Sequence, residues 1–241
     1  MTIHRIAIAP LGLINAFLIH NHNGCILVDA GLPNTEGKVQ KALARLACSF
    51  EDIKLIVVTH AHIDHAGNAF KLHTLSGAPI VAHEGDLPYF QGKKKMHFCP
   101  TGWFGKLFHK TGAIQKAYSY FTPDILLTST KTLDLTPFGF DGEVIPTPGH
   151  TEGSLSVVLN NRNAIVGDLV SSGILLGGIA RTGKAKRPPF EDDPLAVRRE
   201  LQQLVARGTE HFHMGHGGPL PKNEILRHAD ALQSAKTVEH S

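Results

Sequence analysis

The sequence predicts a layered α/β fold, and two observations support this prediction. Short runs rich in β-branched residues alternate along the chain with segments whose apolar residues recur at helical spacing. Elements that alternate in this way stack as sheets covered by helices. Of the 241 residues, 42% are apolar and 19% are charged, a balance that allows a substantial core. We therefore expect a single domain over residues 1–241.

The N-terminal part of the chain predicts four strands and two helices. The first two strands surround a turn of Asn, His and Gly residues, and a continuous β-branched run marks a third, buried strand. In the first helix, Val39 and Leu43 lie on the same face as Leu46. The predicted strands cover 13–19, 25–29, 54–59 and 79–82, and the predicted helices cover 36–47 and 66–75.

The C-terminal part predicts four more strands and two more helices. One helix has clear boundaries, because Asp193 is a suitable N-cap, Pro194 takes the first helical position and Gly208 follows the end. Val197 and Leu201 lie on one face of it. The predicted strands cover 144–147, 154–159, 163–167 and 210–214, and the last predicted helix covers 223–235.

The segment from about 86 to 125 interrupts this alternation with aromatic residues. Nine of the 16 aromatic residues of the chain lie within 89–121. Such a concentration indicates either a small helical subcore or an apolar lid, pocket wall or dimer surface. If it contacts a substrate, the candidate residues are Tyr89, Trp103 and Phe104.

Composition argues against several classes of protein. A net charge of +3 is too small for a broad nucleic-acid-binding surface, and no run of 18 apolar residues could span a membrane. The three cysteines are far apart and form no CxxC motif, so neither a disulfide framework nor a thiolate zinc site is indicated. Without a secretory signal, a reducing, cytoplasmic location is expected.

The sequence His60-Ala61-His62-Ile63-Asp64-His65 follows a predicted strand and precedes a predicted helix. In an extended segment, alternate side chains point the same way, so His60 and His62 can bind one ion. Asp64 and His65 lie where the chain turns into the helix, and they can face a second ion. The motif therefore predicts a two-metal site.

Further ligands are expected at the ends of other strands. His150 lies in a Pro-Gly-His-Thr turn, Asp168 ends a buried-looking strand, and His216 lies in a Gly-His-Gly-Gly turn. A single loop histidine or aspartate is usually only solvated. Three of them, each after a predicted strand, are much stronger evidence for a shared site.

The motifs HxHxDH, Gly-His-Thr, Gly-Asp and Gly-His-Gly, in this order, resemble those of the metallo-β-lactamase superfamily. The likeness extends from Asn15 to Gly217, and it implies an αβ/βα four-layer sandwich with metals at one edge. It also implies ligand roles. His60, His62 and His150 would bind the first metal, Asp64, His65 and His216 the second, and Asp168 both. Asp29 resembles the aspartate that orients the ligand loop in this superfamily.

The resemblance implies a hydrolase that uses two zinc ions, with iron or manganese as alternatives. A hydroxide bridging the two ions would attack an ester, lactone, thioester or amide of a small-molecule substrate, for which an apolar acyl-bearing compound is the candidate. Asp64 could orient this nucleophile or accept its proton. The aspartate at 168 resembles the thioesterase and lactonase branches, so β-lactamase activity would be minor. The alternatives are a persulfide dioxygenase-like enzyme with one iron and a phosphodiesterase.

The remaining polar candidates receive weaker predictions. His83 ends a strand and could lie near the metal site, whereas His211 and His213 are expected to be packing or surface groups. A glycine-rich basic loop that contains Arg181 could bind an anionic group of the substrate. The histidines expected to be solvated are His4, His20, His22, His228 and His240.

Overall fold

A computed structural model describes residues 1–233 of the protein. Its first sheet contains six strands: Thr2–Ala9 (β1), Ile14–Asn21 (β2), Gly24–Val28 (β3), Ile53–Val57 (β4), Ile80–His83 (β5) and Ile125–Leu127 (β6). They lie side by side in chain order. The first three strands are antiparallel, and β3 to β6 run parallel. The carboxyl ends of these parallel strands therefore meet at one edge of the sheet.

The second sheet also contains six strands: Leu133–Asp134 (β7), Gly142–Pro146 (β8), Leu155–Leu159 (β9), Asn163–Ile165 (β10), His211–His213 (β13) and Leu220–Pro221 (β14). Their order in the sheet is β14-β13-β10-β9-β8-β7, and only β10 and β13 are parallel neighbours. A separate small ladder pairs Ser171–Ser172 (β11) with Ala185–Lys186 (β12).

Helices cover the outer faces of both sheets. Their bounds are Glu36–Ala44 (α1), Ile63–Ala66 (α2), Ala69–Ser76 (α3), Leu87–Phe90 (α4), Gly102–Lys110 (α5), Pro194–Ala206 (α6) and Lys222–Leu232 (α7). One apolar cluster joins the two sheets, a second packs α1 and α3 on the first sheet, and a third packs α6 and α7 on the second. These layers confirm the predicted αβ/βα sandwich.

Two N-terminal predictions need correction. The strand β1 was not predicted, although Ile6 and Ile8 alternate with exposed residues in the manner of an edge strand. The helix predicted over 66–75 is two helices, because Asn68 leaves the helical conformation with φ −112° and ψ 5°. The first of them, α2, begins already at Ile63 and so includes Asp64 and His65. The end of the helix predicted over 223–235 lies outside the described residues.

The segment between β5 and β6 contains α4 and α5, and its aromatic residues divide into two groups. Phe90 and Phe121 are buried in the core cluster beside the first sheet, with ring centroids 5.2 Å apart. Trp103 is 71% exposed and Tyr120 is 51% exposed. Part of the segment therefore belongs to the main core.

In the part of the chain that the structure describes, no helix has the length and apolar character needed to cross a bilayer.

His228 is buried, so the prediction that it is solvated is wrong. It lies on α7, where it is 4% exposed because α7 packs against α6 and the second sheet. Burial lowers the pKa of His228 to about 4. In the unfolded chain, His228 binds a proton near pH 6.5, whereas the buried ring does not until about pH 4. The free energy of unfolding therefore falls as the pH falls from 6.5 towards 4.

We expect His228→Leu to reduce the acid sensitivity of the fold. Between pH 7 and pH 5, the free energy of unfolding should fall by about 2 kcal/mol less in this variant than in the wild type. Urea unfolding at the two pH values measures the difference. The exposed His22 provides the control His22→Leu. An equal acid-induced loss in wild type and His228→Leu would contradict the prediction.

Candidate metal centre

The histidine-rich motif begins just beyond β4, at the edge where the parallel strands end. Two backbone hydrogen bonds of Thr59 fix the chain where it leaves β4. Its N–H donates to Asp29 Oδ1 at 2.8 Å, and its C=O accepts from Leu155 N–H at 2.8 Å. The second contact joins the two sheets beside the motif. Asp64 and His65 follow in the first turn of α2, whose His65 C=O accepts from Ala30 N–H at 2.7 Å.

Three imidazoles converge on one point. His60 Nε2 lies 3.0 Å from His62 Nδ1, and His150 Nε2 lies 3.1 and 3.2 Å from these two nitrogens. All three rings are buried. Burial lowers the pKa of His62 to about 3 and that of His150 to about 4, and it holds the pKa of His60 well below its usual value. The rings are therefore neutral at pH 7 and have lone pairs available for a cation.

A second group of donors lies beside the first. His216 Nε2 is 3.3 Å from Asp64 Oδ2, and His65 Nε2 is 3.8 Å from the same oxygen. Asp168 lies between the groups: its Oδ2 is 3.0 Å from His216 Nε2 and 3.8 Å from His150 Nε2. The structure thus brings together the seven predicted ligands, His60, His62, Asp64, His65, His150, Asp168 and His216.

Charge and unmatched atoms show that this donor set fits cations. Burial disfavours a proton on His65, but Asp168, Asp29 and Asp64 outweigh burial and raise its pKa well above the usual value. Burial likewise disfavours a proton on His216, and Asp168 and Asp64 raise its pKa to about 10. Positive charge is thus strongly favoured between the carboxylates. His65 Nε2 and Asp168 Oδ1 are buried without a hydrogen-bond partner in the described chain. Divalent cations would satisfy both conditions.

Asp29 supports the histidine motif through hydrogen bonds, as its resemblance to the superfamily's orienting aspartate implies. Its Oδ2 accepts from His65 Nδ1 at 2.8 Å, and its other oxygen accepts from Thr59 Oγ1 at 2.9 Å. The first bond leaves His65 Nε2 free to face the metal centre. Asp29 adopts a left-handed conformation with φ 63°, which aspartate tolerates better than most residues.

Asp86 is a supporting residue that the sequence analysis missed. It is completely buried, and it accepts from Ala61 N–H at 2.9 Å, Thr151 Oγ1 at 3.0 Å and Gly153 N–H at 3.0 Å. Ala61 lies between two ligand histidines, and Thr151 follows a third. A single carboxylate therefore ties together both segments that supply the first metal group. Asp86 belongs to no local motif, so only its contacts with these two distant segments reveal its role.

The loop that carries His216 is fixed by the N-terminal hairpin, which consists of β1, β2 and the turn between them. His216 Nδ1 donates to Leu13 C=O, and the Asn15 side chain donates to Met214 C=O at 3.2 Å and Gly217 C=O at 3.0 Å. Gly215 passes so close to the ligands that a Cβ there would lie 2.4 Å from Asp168 Oδ1. Only glycine fits at this position.

Two adjacent cavities lie beside the ligands. The smaller is lined by ligand residues together with Phe98, Phe108 and Phe190. The larger, of about 550 Å³, shares Ile63, Phe98 and Ile114 with it. Phe98 also stacks on His62, with ring centroids 4.9 Å apart. The two cavities are therefore adjacent, with Phe98 at the boundary beside the metal ligands.

Only one of the three aromatic residues predicted to contact a substrate lines these cavities. Tyr89 lines the larger cavity, together with Lys93, Lys94 and Lys95. Among the described residues that line the two cavities, neither Trp103 nor Phe104 occurs. Trp103 is turned to solvent, and Phe104 stacks against Phe108 at 5.8 Å. The expectation for these two residues therefore needs correction.

Two further predictions about charged groups also change. Arg181 is exposed, whereas Lys186 of the same basic loop is half-buried. Burial lowers the pKa of Lys186, and the charge of Asp168 opposes this effect. The Lys186 ammonium donates to the Leu175 C=O. His83 is buried, but it lies outside both ligand groups found among the described residues, and its Nδ1 accepts from Gly85 N–H at 3.0 Å.

Known proteins resemble this chain over most of its length. The family model described as metallo-beta-lactamase superfamily matches residues 9–216. The protein YobT of Bacillus subtilis (strain 168) is 31% identical over 231 residues, which cover 92% of this chain and 91% of YobT. The probable metallo-hydrolase YflN of the same strain is 27% identical, with coverage of 87% and 83%.

The fold agrees with this relationship. The crystal structure of BLEG-1, a B3 metallo-beta-lactamase, superposes with a TM-score of 0.67 at 21% sequence identity. The superposition covers 97% of this chain and 100% of that chain. The matched region 9–216 includes all seven ligand residues and most strands of both sheets. The chain therefore belongs to the metallo-beta-lactamase superfamily.

Proposed function

We propose that the protein is a hydrolase with two zinc ions that cleaves a carbonyl ester, lactone, thioester or amide. The observation that carries this proposal is the position of Asp168, within 4 Å of ligands from both groups. A pair of divalent cations held there would polarise a carbonyl oxygen and lower the pKa of a water molecule to near 7. The similarity to the probable metallo-hydrolase YflN supports the same class of reaction.

The protein's own residues orient the substrate and move the proton. The Asp64 side chain is 19% exposed and lines the smaller cavity, so it can contact a water molecule there. Its pKa is held well below the usual value, because His65 and His216 outweigh the effect of burial. Asp64 is therefore ionised at neutral pH and can accept a hydrogen bond from the attacking water.

The donor set supports hydrolysis over chemistry at a single iron. An enzyme with one iron would leave Asp64 and His216 without a metal. Here, however, His216 Nε2 lies 3.0 Å from Asp168 and 3.3 Å from Asp64. Both residues are thus part of one continuous cluster.

The three cysteines are free thiols, which supports a reducing, cytoplasmic setting for the enzyme.

A substrate panel tests the proposed reaction. Zinc-loaded protein is assayed against matched lactones, aryl esters, acyl thioesters, β-lactams and phosphodiesters, with zinc per chain measured on the same samples. We expect ester, lactone or thioester cleavage to exceed the other activities, with two zinc ions bound at the His and Asp ligands. Binding of one iron together with oxygen consumption, or preferential phosphodiester cleavage, would contradict the proposal.

We also propose that segment 86–125 forms the substrate-facing wall of the cavity. Phe98 is the residue to test, because it lines both cavities and stacks on His62. Phe98→Ala should raise KM for substrates with a long acyl chain about tenfold, since a buried phenyl contributes roughly 1.5–3 kcal/mol. The exposed Trp103 supplies the control Trp103→Ala. Equal KM values for all three proteins would argue against this wall.

A further inference from the structure

A second set of metal-binding side chains lies away from the metal centre. His20, Cys25 and Cys48 each offer one donor atom, and these three atoms lie within 4.8 Å of one another. The sequence analysis did not detect this group, because its members are spread over 29 positions without a CxxC motif. The first sheet brings them together instead.

Strand pairing fixes the geometry of the first two residues. His20 and Cys25 are directly opposite each other in the antiparallel pair β2 and β3, one pair before the turn. Cross-strand partners of this kind lie on the same face of the sheet. Cys25 belongs to the core cluster under α1, so that face is the one covered by helices. His20, which was expected to be solvated, is partly buried there.

Cys48 completes the group from the segment that follows α1. Its N–H donates to Leu43 C=O at 3.0 Å, which fixes the backbone beside the sheet. Its Sγ lies 3.5 Å from Leu46 C=O, and both sulfurs are free thiols. Cys25 is fully buried, whereas Cys48 and His20 are partly exposed. An ion could therefore enter from the side of these two residues.

The chemistry of the three donors indicates the ion. Two thiolates and an imidazole are three of the four ligands of a structural zinc site with two cysteines and two histidines, and two thiolates neutralise the charge of Zn²⁺. In a tetrahedral site, these donor atoms lie about 3.3–3.8 Å apart, so side-chain adjustments of roughly 1 Å are enough. His4 offers a further imidazole at the exposed side, with its ring centroid 6.0 Å from that of His20.

We propose that His20, Cys25 and Cys48 form a structural zinc site that joins β2, β3 and the end of α1. Cys25 is the second residue of β3 and lies four residues before Asp29, so this site is about 13 Å along the strand from the supports of the metal centre. The two sites therefore share no ligand. Zinc bound at this site would stabilise the pairing of β2 with β3 and would not take part in the reaction.

Cobalt substitution separates this site from the metal centre. Cobalt bound to thiolates gives a near-ultraviolet charge-transfer absorption, whereas the His and Asp ligands of the centre cannot produce it. With reductant present, the cobalt-loaded wild type should show this band and bind one ion more per chain than Cys25→Ser. Loss of the band is expected in Cys25→Ser, and also in Cys48→Ala and His20→Ala, which change less buried side chains.

Two controls make the result specific. Cys99→Ser removes the remaining cysteine, which lies outside this group, and it should retain the band. Asp168→Ala disrupts the metal centre and should also retain it, so failure of the proposed hydrolase would not affect this test. The proposal would be overturned by the lack of a thiolate band in the reduced wild type. Persistence of the band in both Cys25→Ser and Cys48→Ala would overturn it equally.

Discussion

Replacement of Asp168 by alanine is expected to lower kcat/KM for the best ester or thioester substrate by about 10³-fold. Asp168 is the carboxylate between the two ligand groups, and one of its oxygens is buried without a partner. Stabilisation of charge by a correctly placed metal ion contributes several kcal/mol to catalysis, and 1.36 kcal/mol corresponds to tenfold in rate. Loss of the residue common to both ion positions should remove most of this contribution.

The measurement combines steady-state kinetics with zinc content. In Asp168→Ala, zinc per chain should fall together with activity, whereas Asp168→Asn should keep more metal but remain slow, because a neutral amide balances less positive charge. The exposed Asp141 provides the control Asp141→Ala, which should behave like the wild type. An Asp168→Ala enzyme within tenfold of wild-type activity would show that the reaction does not depend on this carboxylate.

The second large effect is expected for Asp86→Ala, although Asp86 does not reach the metal ions. This change leaves Ala61 N–H and Gly153 N–H buried without an acceptor, and each unmatched group costs about 1–3 kcal/mol. We therefore expect a loss of about 3 kcal/mol in the free energy of unfolding. Because the same carboxylate positions the segments of His60, His62 and His150, zinc affinity should also fall, by about 10–100-fold.

Two measurements distinguish positioning from simple loss of stability. Zinc affinity is determined by chelator competition at a temperature where the variant is fully folded, and stability is determined by urea unfolding. Asp86→Asn, which keeps one carbonyl oxygen, should recover part of both. Glu84→Ala, an exposed acidic residue two positions away, is the matched control. Unchanged zinc affinity in folded Asp86→Ala would mean that Asp86 supports only the fold.

The sequence predicts best where the chemistry is local. The motif from His60 to His65 combines four ligands in six residues, and the ligands at 150, 168 and 216 each follow a strand, so their convergence could be expected. The layered fold was predictable for a similar reason, because each amphipathic element reports its own buried face. In both cases the information lies within a few residues of the position concerned.

Features that depend on distant contacts could not be predicted in this way. Asp86 is defined by Ala61 and Thr151, which are 25 and 65 positions away in the chain. Trp103 and Phe98 look equivalent as aromatic residues of one segment, yet only Phe98 packs on a ligand histidine. His228 lies at helical spacing from Ile225 and Leu232, so it shares their apolar face, and it becomes buried when that face of α7 packs against α6. Three-dimensional packing decides each of these cases.

The contact between the N-terminal hairpin and the loop of His216 has a consequence for assembly of the enzyme. This ligand is held by Leu13 and Asn15, which lie more than 200 positions earlier in the chain. A growing polypeptide on the ribosome therefore cannot complete the ligand group of Asp64, His65 and His216 until residue 216 has emerged. Binding at this group therefore follows synthesis of His216, and fraying of the segment from Leu13 to Asn15 in the finished protein should weaken it.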